Sequence, residues 1–183
     1  MKMTARLKLT LMTTALLLGS LHPSVWAHQQ AFENMGITKP RVEKSAPGFA
    51  LQDIQGNMVN LEDFRGKAIL LNFWATWCEA CKEELPSMQR LYEALSSQGV
   101  EVVAISIDRR NFDRVKKYAK EYNLTFPVLW DPEQKVRKHY YIMGLPTTYL
   151  IDPNGRLKGF ASGARVWDSP DSIQALTSLK EKL

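Results

Sequence analysis

Cys78 and Cys81 are the only cysteines of the chain, separated by two residues in the segment LNFWATWCEACKEELP. A disulfide stabilises a protein mainly by closing a loop of the unfolded chain, and a bridge over so short a distance closes almost none. Thiol–disulfide exchange, in contrast, needs one thiolate to attack a sulfur and a second thiol close by to complete the reaction. We therefore interpret the pair as a site of redox chemistry.

The residues around the pair predict a strand that leads into a helix at Cys78. Residues 67–75 are almost continuously apolar, as in a strand buried on both faces. Residues 79–97 have apolar side chains at helical spacing, and Pro86 is expected to kink that helix. The free N–H groups and the dipole at a helix start favour a thiolate, so Cys78 is the predicted attacking thiol. Cys81, one turn further on, is the predicted resolving thiol.

A metal site is the competing interpretation of a cysteine pair. Structural zinc takes four N, S or O ligands, and the chain has no second cysteine pair. The histidines His22, His28 and His139 are scattered along the sequence. The sequence therefore predicts neither a metal site nor a bound cofactor.

The pattern of the remaining chain alternates strands with helices. Residues 49–61 predict a hairpin that turns at Gln55-Gly56-Asn57. The strands that follow the hairpin are expected at residues 67–75, 100–108, 126–130, 147–151 and 157–161, and the helices at residues 79–97, 111–122, 132–140 and 169–183. Such alternation predicts an α/β domain with a mixed central sheet flanked by helices.

The cysteine segment resembles thioredoxin-like thiol–disulfide oxidoreductases of the TlpA/ResA type. The resemblance covers residues 44–165 and rests on WATWCEACKEELP together with Gly144-Leu145-Pro146-Thr147-Thr148 downstream. It implies a thioredoxin-like fold with an N-terminal hairpin and an inserted strand–helix unit within residues 100–122. These are extracytoplasmic proteins, so the resemblance also implies work outside the cytoplasm.

The same resemblance implies a substrate-binding site beside the cysteine pair. Pro146 is expected in the cis form against Cys78, at the start of the strand that Thr147 opens. The backbone of Leu145 would then be free to pair with an incoming peptide strand, because proline removes an N–H and turns the chain. Trp77 is expected to form the exposed rim of this site.

Glu84 is the candidate acid–base residue. Thioredoxins have a buried aspartate at the position held here by Asn72, and an asparagine does not titrate. TlpA/ResA-type proteins have a glutamate at the position of Glu84, on the helix face of Cys81. The resemblance implies that burial raises the pKa of this glutamate towards a value suited to proton transfer. A solvated helix glutamate is the alternative.

The carboxylates around the pair indicate a direction of electron flow. Glu79, Glu83 and Glu84 are offset by Lys82 alone. Negative charge disfavours a nearby thiolate, so the reduced pair is less favoured and becomes a better reductant. We therefore expect reduction of protein disulfides. The resemblance adds oxidised apocytochrome c as a substrate, and a membrane protein as electron donor.

The amino terminus has the layout of a secretory signal peptide. Basic residues among the first eight precede an uncharged apolar run at residues 9–21, and Val25-Trp26-Ala27 offers a cleavage site. The run is too short to span a bilayer comfortably, since about 20 residues are needed. Cleavage predicts a periplasmic protein, whereas an uncleaved signal would anchor the chain to the membrane.

The predicted organisation is a signal peptide at residues 1–27, a flexible lead-in at 28–43 and a thioredoxin-like domain at 44–183. Removal of the signal lowers the formal net charge from +5 to +2. A basic cluster within residues 109–120 falls on a predicted helix and is interpreted as a solvated face, so no nucleic-acid partner is expected. The sequence leaves the oligomeric state open.

Two other classes of protein compete with a disulfide reductase. A peroxiredoxin-like peroxide reductase needs Thr and Pro three and seven residues before its cysteine, where this chain has Ala75 and Leu71. A metal chaperone or binding module could use the same fold, and metal affinity of the reduced protein would distinguish it.

Overall fold

The computed structural model describes residues 23–180, with side chains from residue 29 onward. Its strands are β1 (Ala50–Asp53), β2 (Met58–Asn60), β3 (Ala68–Trp74), β4 (Val100–Ser106), β5 (Val128–Trp130), β6 (Thr147–Ile151) and β7 (Leu157–Ser162). Its α-helices are α1 (Pro23–Asn34), α2 (Glu79–Leu95), α3 (Phe112–Glu121), α4 (Lys135–His139) and α5 (Pro170–Ser178). Short 3₁₀ turns cover Leu61–Phe64 and Ser96–Gln98.

The described strands form one mixed seven-stranded sheet in the order β2-β1-β5-β4-β3-β6-β7. β3, β4 and β5 are parallel, and the other neighbouring pairs are antiparallel. Every residue of β3 and β4 is buried, as expected for parallel strands covered on both faces. The predicted α/β class, thioredoxin-like fold and N-terminal hairpin are confirmed.

Three loops meet at the sheet edge where β3 ends. β6 is antiparallel to β3 and therefore begins at that edge, with Thr147 opposite Phe73. β7 is antiparallel to β6 and therefore ends there, with Ser162 opposite Thr147. The segments after β3, before β6 and after β7 consequently surround the start of α2. This edge is called the β3 edge below.

The helices follow the predicted positions with shifted ends. α2 runs unbroken through Pro86, and Leu85, Met88 and Leu91 on its inner face are fully buried. α4 starts at residue 135 instead of 132, and the preceding Asp131 accepts hydrogen bonds from the backbone N–H groups of Lys135 and Arg137 in its first turn. None of the helices within residues 23–180 is long and apolar enough to cross a membrane.

The N-terminal segment differs from its prediction. Residues 28–43 were expected to be flexible and irregular, but α1 continues to Asn34 and packs against α5. Thr38 then forms a bridge with Phe160 of β7, through two backbone hydrogen bonds of 2.8 and 3.0 Å. The expectation of an irregular conformation was wrong here because three apolar side chains of this mostly polar segment, Ala31, Phe32 and Ile37, are buried in the core. Of the predicted signal peptide, residues 1–22 lie outside the described residues and residues 23–27 belong to α1.

A substitution at Gly159 tests whether this segment stabilises the domain. A Cβ at Gly159 would lie 2.4 Å from Cγ2 of Ile37, so Gly159→Ala must displace the segment or the strand. We expect the free energy of unfolding in urea to fall by about 1–3 kcal/mol. Gly48→Ala is the control, because its added Cβ would have its nearest neighbour at 3.6 Å. Equal stabilities of the two variants would show that the segment is not fixed on β7.

Candidate active site

The two cysteines lie at the start of α2 and form a disulfide. Cys78 is the N-cap of the helix, and its Sγ accepts the backbone N–H of Cys81 at 3.2 Å. The Cα atoms of the pair are 5.3 Å apart. Cys78 retains 9% exposure whereas Cys81 is completely buried. Cys78 is therefore the more accessible cysteine of the pair, and its role as attacking thiol stays a prediction.

The loop that leads into Cys78 is held by a carboxyl group at the end of β4. Oδ2 and Oδ1 of Asp108 accept the backbone N–H and the hydroxyl of Thr76 at 2.9 and 2.7 Å. The hydroxyl of Ser106 donates a third hydrogen bond to Asp108 at 2.7 Å. Thr76 and Ser106 are fully buried. Sequence reasoning missed Asp108, because β3 and β4 are neighbours only in the folded sheet.

Glu84 lies in the interior of the domain, one turn beyond Cys81. Its side chain is 1% exposed, and Oε1 accepts a hydrogen bond from Nδ2 of Asn72 at 2.6 Å. Oε2 accepts from Nε1–H of Trp167 at 3.0 Å and from the backbone N–H of Arg165 at 3.3 Å. Burial raises the pKa of Glu84 to about 7, against the lowering effect of these donors. The solvated alternative is therefore wrong.

Asn72 links Glu84 to the sheet. Its Nδ2 also donates to Oγ1 of Thr148 on β6 at 2.9 Å, and the side chain is fully buried. Among the described residues, no partner is found for its Oδ1. An aspartate here would place a second carboxyl group beside Glu84, and the neutral amide avoids that repulsion.

The other acidic residues of α2 face solvent. Glu79 is exposed and forms an ion pair with Lys82 at 2.5 Å. Glu83 is also exposed. Exposed charges interact weakly through water, so Glu79 and Glu83 are expected to affect the cysteines less than the buried Glu84.

The predicted substrate-site residues lie at the β3 edge. The Leu145–Pro146 peptide bond is cis, in agreement with the resemblance. Pro146 is buried, and its carbonyl accepts the N–H of Gly163 at 2.9 Å. Leu145 is half-buried, and the Thr147 hydroxyl donates to the carbonyl of Gly144 at 2.8 Å. Trp77 is 62% exposed.

Comparison with solved structures defines the class of protein. The chain superimposes on a thioredoxin-family thiol:disulfide interchange protein of Chlorobium tepidum with a TM-score of 0.67 and 27% identity, covering 75% of this chain and 99% of that one. It superimposes on StoA of Bacillus subtilis with a TM-score of 0.60 and 27% identity, covering 76% and 98%. The fold and the cysteine pair are those of a thioredoxin-like thiol–disulfide oxidoreductase.

Sequence comparison identifies the family within the thioredoxin-like thiol–disulfide oxidoreductases. Residues 42–160 match the AhpC/TSA family. The chain is 37% identical over 180 residues to the thiol-disulfide oxidoreductase ResA of Geobacillus thermodenitrificans, covering 98% of this chain and 99% of the relative. It is 43% identical over 132 residues to ResA of Oceanobacillus iheyensis, covering 70% and 68%. The chain belongs to the ResA family of thiol–disulfide oxidoreductases, within the AhpC/TSA family.

The pKa of Glu84 predicts how stability depends on pH. Folding raises this pKa from 4.5 to about 7, so folding favours the protonated carboxyl group. The stabilising contribution of Glu84 to the free energy of unfolding is fully present below pH 4.5 and is lost as the pH rises to about 7. Between pH 5 and pH 8 the free energy of unfolding of the parent protein should therefore fall by an amount on the order of 2–3 kcal/mol. In Glu84→Gln this fall should be absent.

Urea unfolding of the oxidised protein across that range measures the effect. Glu83→Gln is the matched control, since it removes the same charge from an exposed neighbour on α2. It should leave the pH dependence as in the parent protein. If the free energy of unfolding depended on pH in the same way in the parent and in Glu84→Gln, the raised pKa of Glu84 would be contradicted.

Proposed function

We propose that this oxidoreductase reduces disulfides of other proteins outside the cytoplasm, with Cys78 as attacking thiol, Cys81 as resolving thiol and Glu84 as proton acceptor. The observation that carries the proposal is the buried carboxyl group of Glu84 one turn beyond Cys81. A carboxyl group with a pKa near neutrality can both take and return a proton under physiological conditions.

The first step uses Cys78, the more accessible of the two cysteines. In the reduced protein, the Cys78 thiolate attacks one sulfur of a substrate disulfide, forms a mixed disulfide and releases the other substrate sulfur as a thiolate. The N-terminal N–H groups and the dipole of α2 stabilise the thiolate at the N-cap. The hydrogen bond from the Cys81 N–H shows that at least one of these groups already points at Sγ of Cys78.

The second step uses the buried sulfur. Cys81 transfers its proton to Glu84 and attacks Sγ of Cys78, and the second substrate sulfur leaves as a thiol or thiolate. The Cys78–Cys81 disulfide forms and the substrate gains two electrons. Cys81 and Glu84 are three residues apart on one helix and therefore lie on the same face. Because Cys81 and Glu84 are both buried, an internal base accepts this proton in place of bulk water.

The direction of electron flow follows from charge. When Glu84 is ionised, its negative charge lies beside the cysteine pair and raises the free energy of a thiolate. The reduced form is then less favoured, and the protein becomes a better electron donor. Glu79 contributes little because Lys82 neutralises it at the surface.

An apolar rim at the β3 edge, the edge at which Cys78 follows β3, supports polypeptide substrates. Six large apolar side chains are prominently exposed within the described residues, and four of them lie in the loops of the β3 edge. They are Trp77, Tyr141, Met143 and Val166, with exposures of 62, 84, 92 and 64%. A protein segment joined to Cys78 would cover this rim, whereas a small disulfide would leave most of it in water.

Tyr141 adds a second argument for the rim. The end of α4 is closed by hydrogen bonds from Tyr141 N–H to Lys138 O at 3.0 Å and from Ile142 N–H to Arg137 O at 3.1 Å. Tyr141 has φ 53°, in the left-handed region, where glycine is the usual residue. A tyrosine destabilises this turn relative to glycine by about 1 kcal/mol, so folding does not account for its presence.

Compartment and partners extend the proposal. The amino-terminal sequence of a signal peptide supports export to the periplasm or anchoring at the membrane. Reduction in an oxidising compartment consumes two electrons per turnover, so a membrane electron donor must regenerate the dithiol. Oxidised apocytochrome c, the substrate implied by the family resemblance, is a polypeptide disulfide that the apolar rim would accommodate.

The reduction potential of the Cys78–Cys81 pair tests the direction. Equilibration with thiol buffers should give a value near about −270 mV, as for a reductant that works against an oxidising compartment. A value near about −120 mV would identify an oxidant that introduces disulfides, and would contradict the proposed effect of Glu84. Cys78→Ser is the control and should show no exchange while keeping the fold.

A substitution of Tyr141 tests the rim. Tyr141→Gly should raise the free energy of unfolding by about 1 kcal/mol, because it removes the side chain from a left-handed turn. The same variant should reduce insulin more slowly and hydroxyethyl disulfide at the parent rate. Asn123→Gly is the matched control, since Asn123 has φ 51° in the corresponding turn of α3, at the opposite edge of the sheet. An unchanged rate with insulin in Tyr141→Gly would show that the rim does not contact the substrate.

A further inference from the structure

The loop between β7 and α5 is fastened to the turn of α2 that carries Glu84. It supplies both donors to Oε2 of Glu84, the Arg165 N–H and the Trp167 Nε1–H. The backbone N–H of Trp167 donates to Oγ of Ser87 at 3.0 Å, and the Ser87 hydroxyl donates to the carbonyl of Glu84 at 2.7 Å. The position of this loop therefore decides which donors reach the carboxyl group.

The side chain of Arg165 holds this loop from the other side. Its Nε donates to the carbonyl of Met35 at 2.7 Å, and Nη2 donates to the carbonyl of Gly36 at 3.4 Å. Its Nη1 donates to the carbonyls of Ser162 and Gly163 at 2.8 and 2.6 Å. The rigid fork of a guanidinium group can satisfy these carbonyls together, because its five N–H groups diverge in one plane.

The carbonyls of Met35 and Gly36 belong to the end of α1. Gly36 has φ 59°, and its N–H donates to the carbonyl of Glu33 at 2.9 Å. The N–H of Ile37 donates to the carbonyl of Phe32 at 2.9 Å, which completes a left-handed C-terminal turn. The last carbonyls of a helix have partial negative charge, so the Arg165 cation is favourable there.

We propose that Arg165 is a positioning residue for Glu84, and that the end of α1 is part of the support of the acid–base group. The guanidinium group of Arg165 binds the carbonyls of Met35 and Gly36. The backbone N–H of Arg165 binds the carboxyl group of Glu84. The part that concerns exchange rests on the proposed function of Glu84. The N-terminal segment is thereby coupled to the site, although it contributes no reacting group.

The charges around Glu84 determine the direction of the expected effect. Arg165 is the cation whose charge lowers the pKa of Glu84. A guanidinium group of Arg165 that lies further from Glu84 would favour the protonated carboxyl group. A backbone N–H of Arg165 that no longer reaches Oε2 would have the same effect. Both changes therefore raise the pH at which Glu84 loses its proton.

The other neighbours of Glu84 do not obscure this titration. Asn72 of β3, Thr148 of β6 and Trp167 do not titrate. Asp168, in the same loop, is paired with Arg90 at 2.6 Å. On α2 itself, Cys81 does not titrate while it is in the disulfide. The oxidised full-length protein is thus the suitable sample, since Glu84 can be followed there without the thiols and without a substrate.

Carboxyl-carbon NMR of the oxidised protein measures the titration midpoint, with Glu84→Gln to assign the resonance. Arg165→Gln should raise the midpoint by about half a pH unit or more. Arg156→Gln is the matched control, because Arg156 is an exposed arginine paired with Glu43, and it should leave the midpoint unchanged. An unchanged midpoint in Arg165→Gln, or equal shifts in both variants, would overturn the proposal.

Arg165→Lys separates the effect of the positive charge from the effect of the hydrogen bonds that the planar guanidinium group makes. Lysine keeps the cation but cannot hold the four carbonyls with one planar group. A higher midpoint in this variant supports positioning, whereas the parent midpoint would mean that charge alone acts and would overturn the role of the α1 end.

Gly36→Ala tests the α1 end without changing Arg165. The added Cβ would lie 3.3 Å from Nη2 of Arg165, in a left-handed residue. Gly66→Ala is the control, since Gly66 has φ 84° and its Cβ would meet nothing within 4 Å. A raised midpoint in Gly36→Ala alone supports the coupling, and equal midpoints overturn it. Exchange rates of Glu84→Gln are a separate measurement, so a failure of the proposed function would not be confused with a failure of this one.

Discussion

The burial of the Glu84 carboxyl group is the constraint on which the site depends. A charged carboxylate in the interior is costly, so it must gain hydrogen bonds, bind a proton or do both. This protein does both, since donors from β3 and from the loop before α5 surround the group and its pKa still rises to about 7. The donors lock α2 to the sheet, and the raised pKa leaves a proton that can be exchanged near neutrality.

A second buried carboxyl group has a different task. Asp108 accepts three hydrogen bonds, two of them from Thr76, and so fixes the loop that precedes Cys78. A helix start can activate a sulfur only if the loop holds that sulfur against the first turn. In the proposed mechanism Glu84 accepts and returns the proton of Cys81, whereas Asp108 holds the loop that precedes Cys78 in place.

The site residues that sequence reasoning found are those within one local segment or one family motif. Cys78, Cys81 and Glu84 follow one another at helical spacing, and Pro146 precedes an apolar strand. Arg165, Trp167 and Asp108 were missed, because their neighbours in the sequence indicate only a loop or a strand end. Their partners are 81, 83 and 32 residues away along the chain, and such contacts depend on how the elements pack.

The sequence by itself determined the class of chemistry, the strand–helix alternation and the position of the cysteine pair at a helix start. Local spacing and backbone preference suffice for these features. Tertiary structure alone decided that the N-terminal segment is ordered against β7, that Glu79 and Glu83 face water while Glu84 does not, and that α1 reaches the site through Arg165. Each of these depends on burial, and burial is a property of the packed molecule that residue spacing specifies only in part.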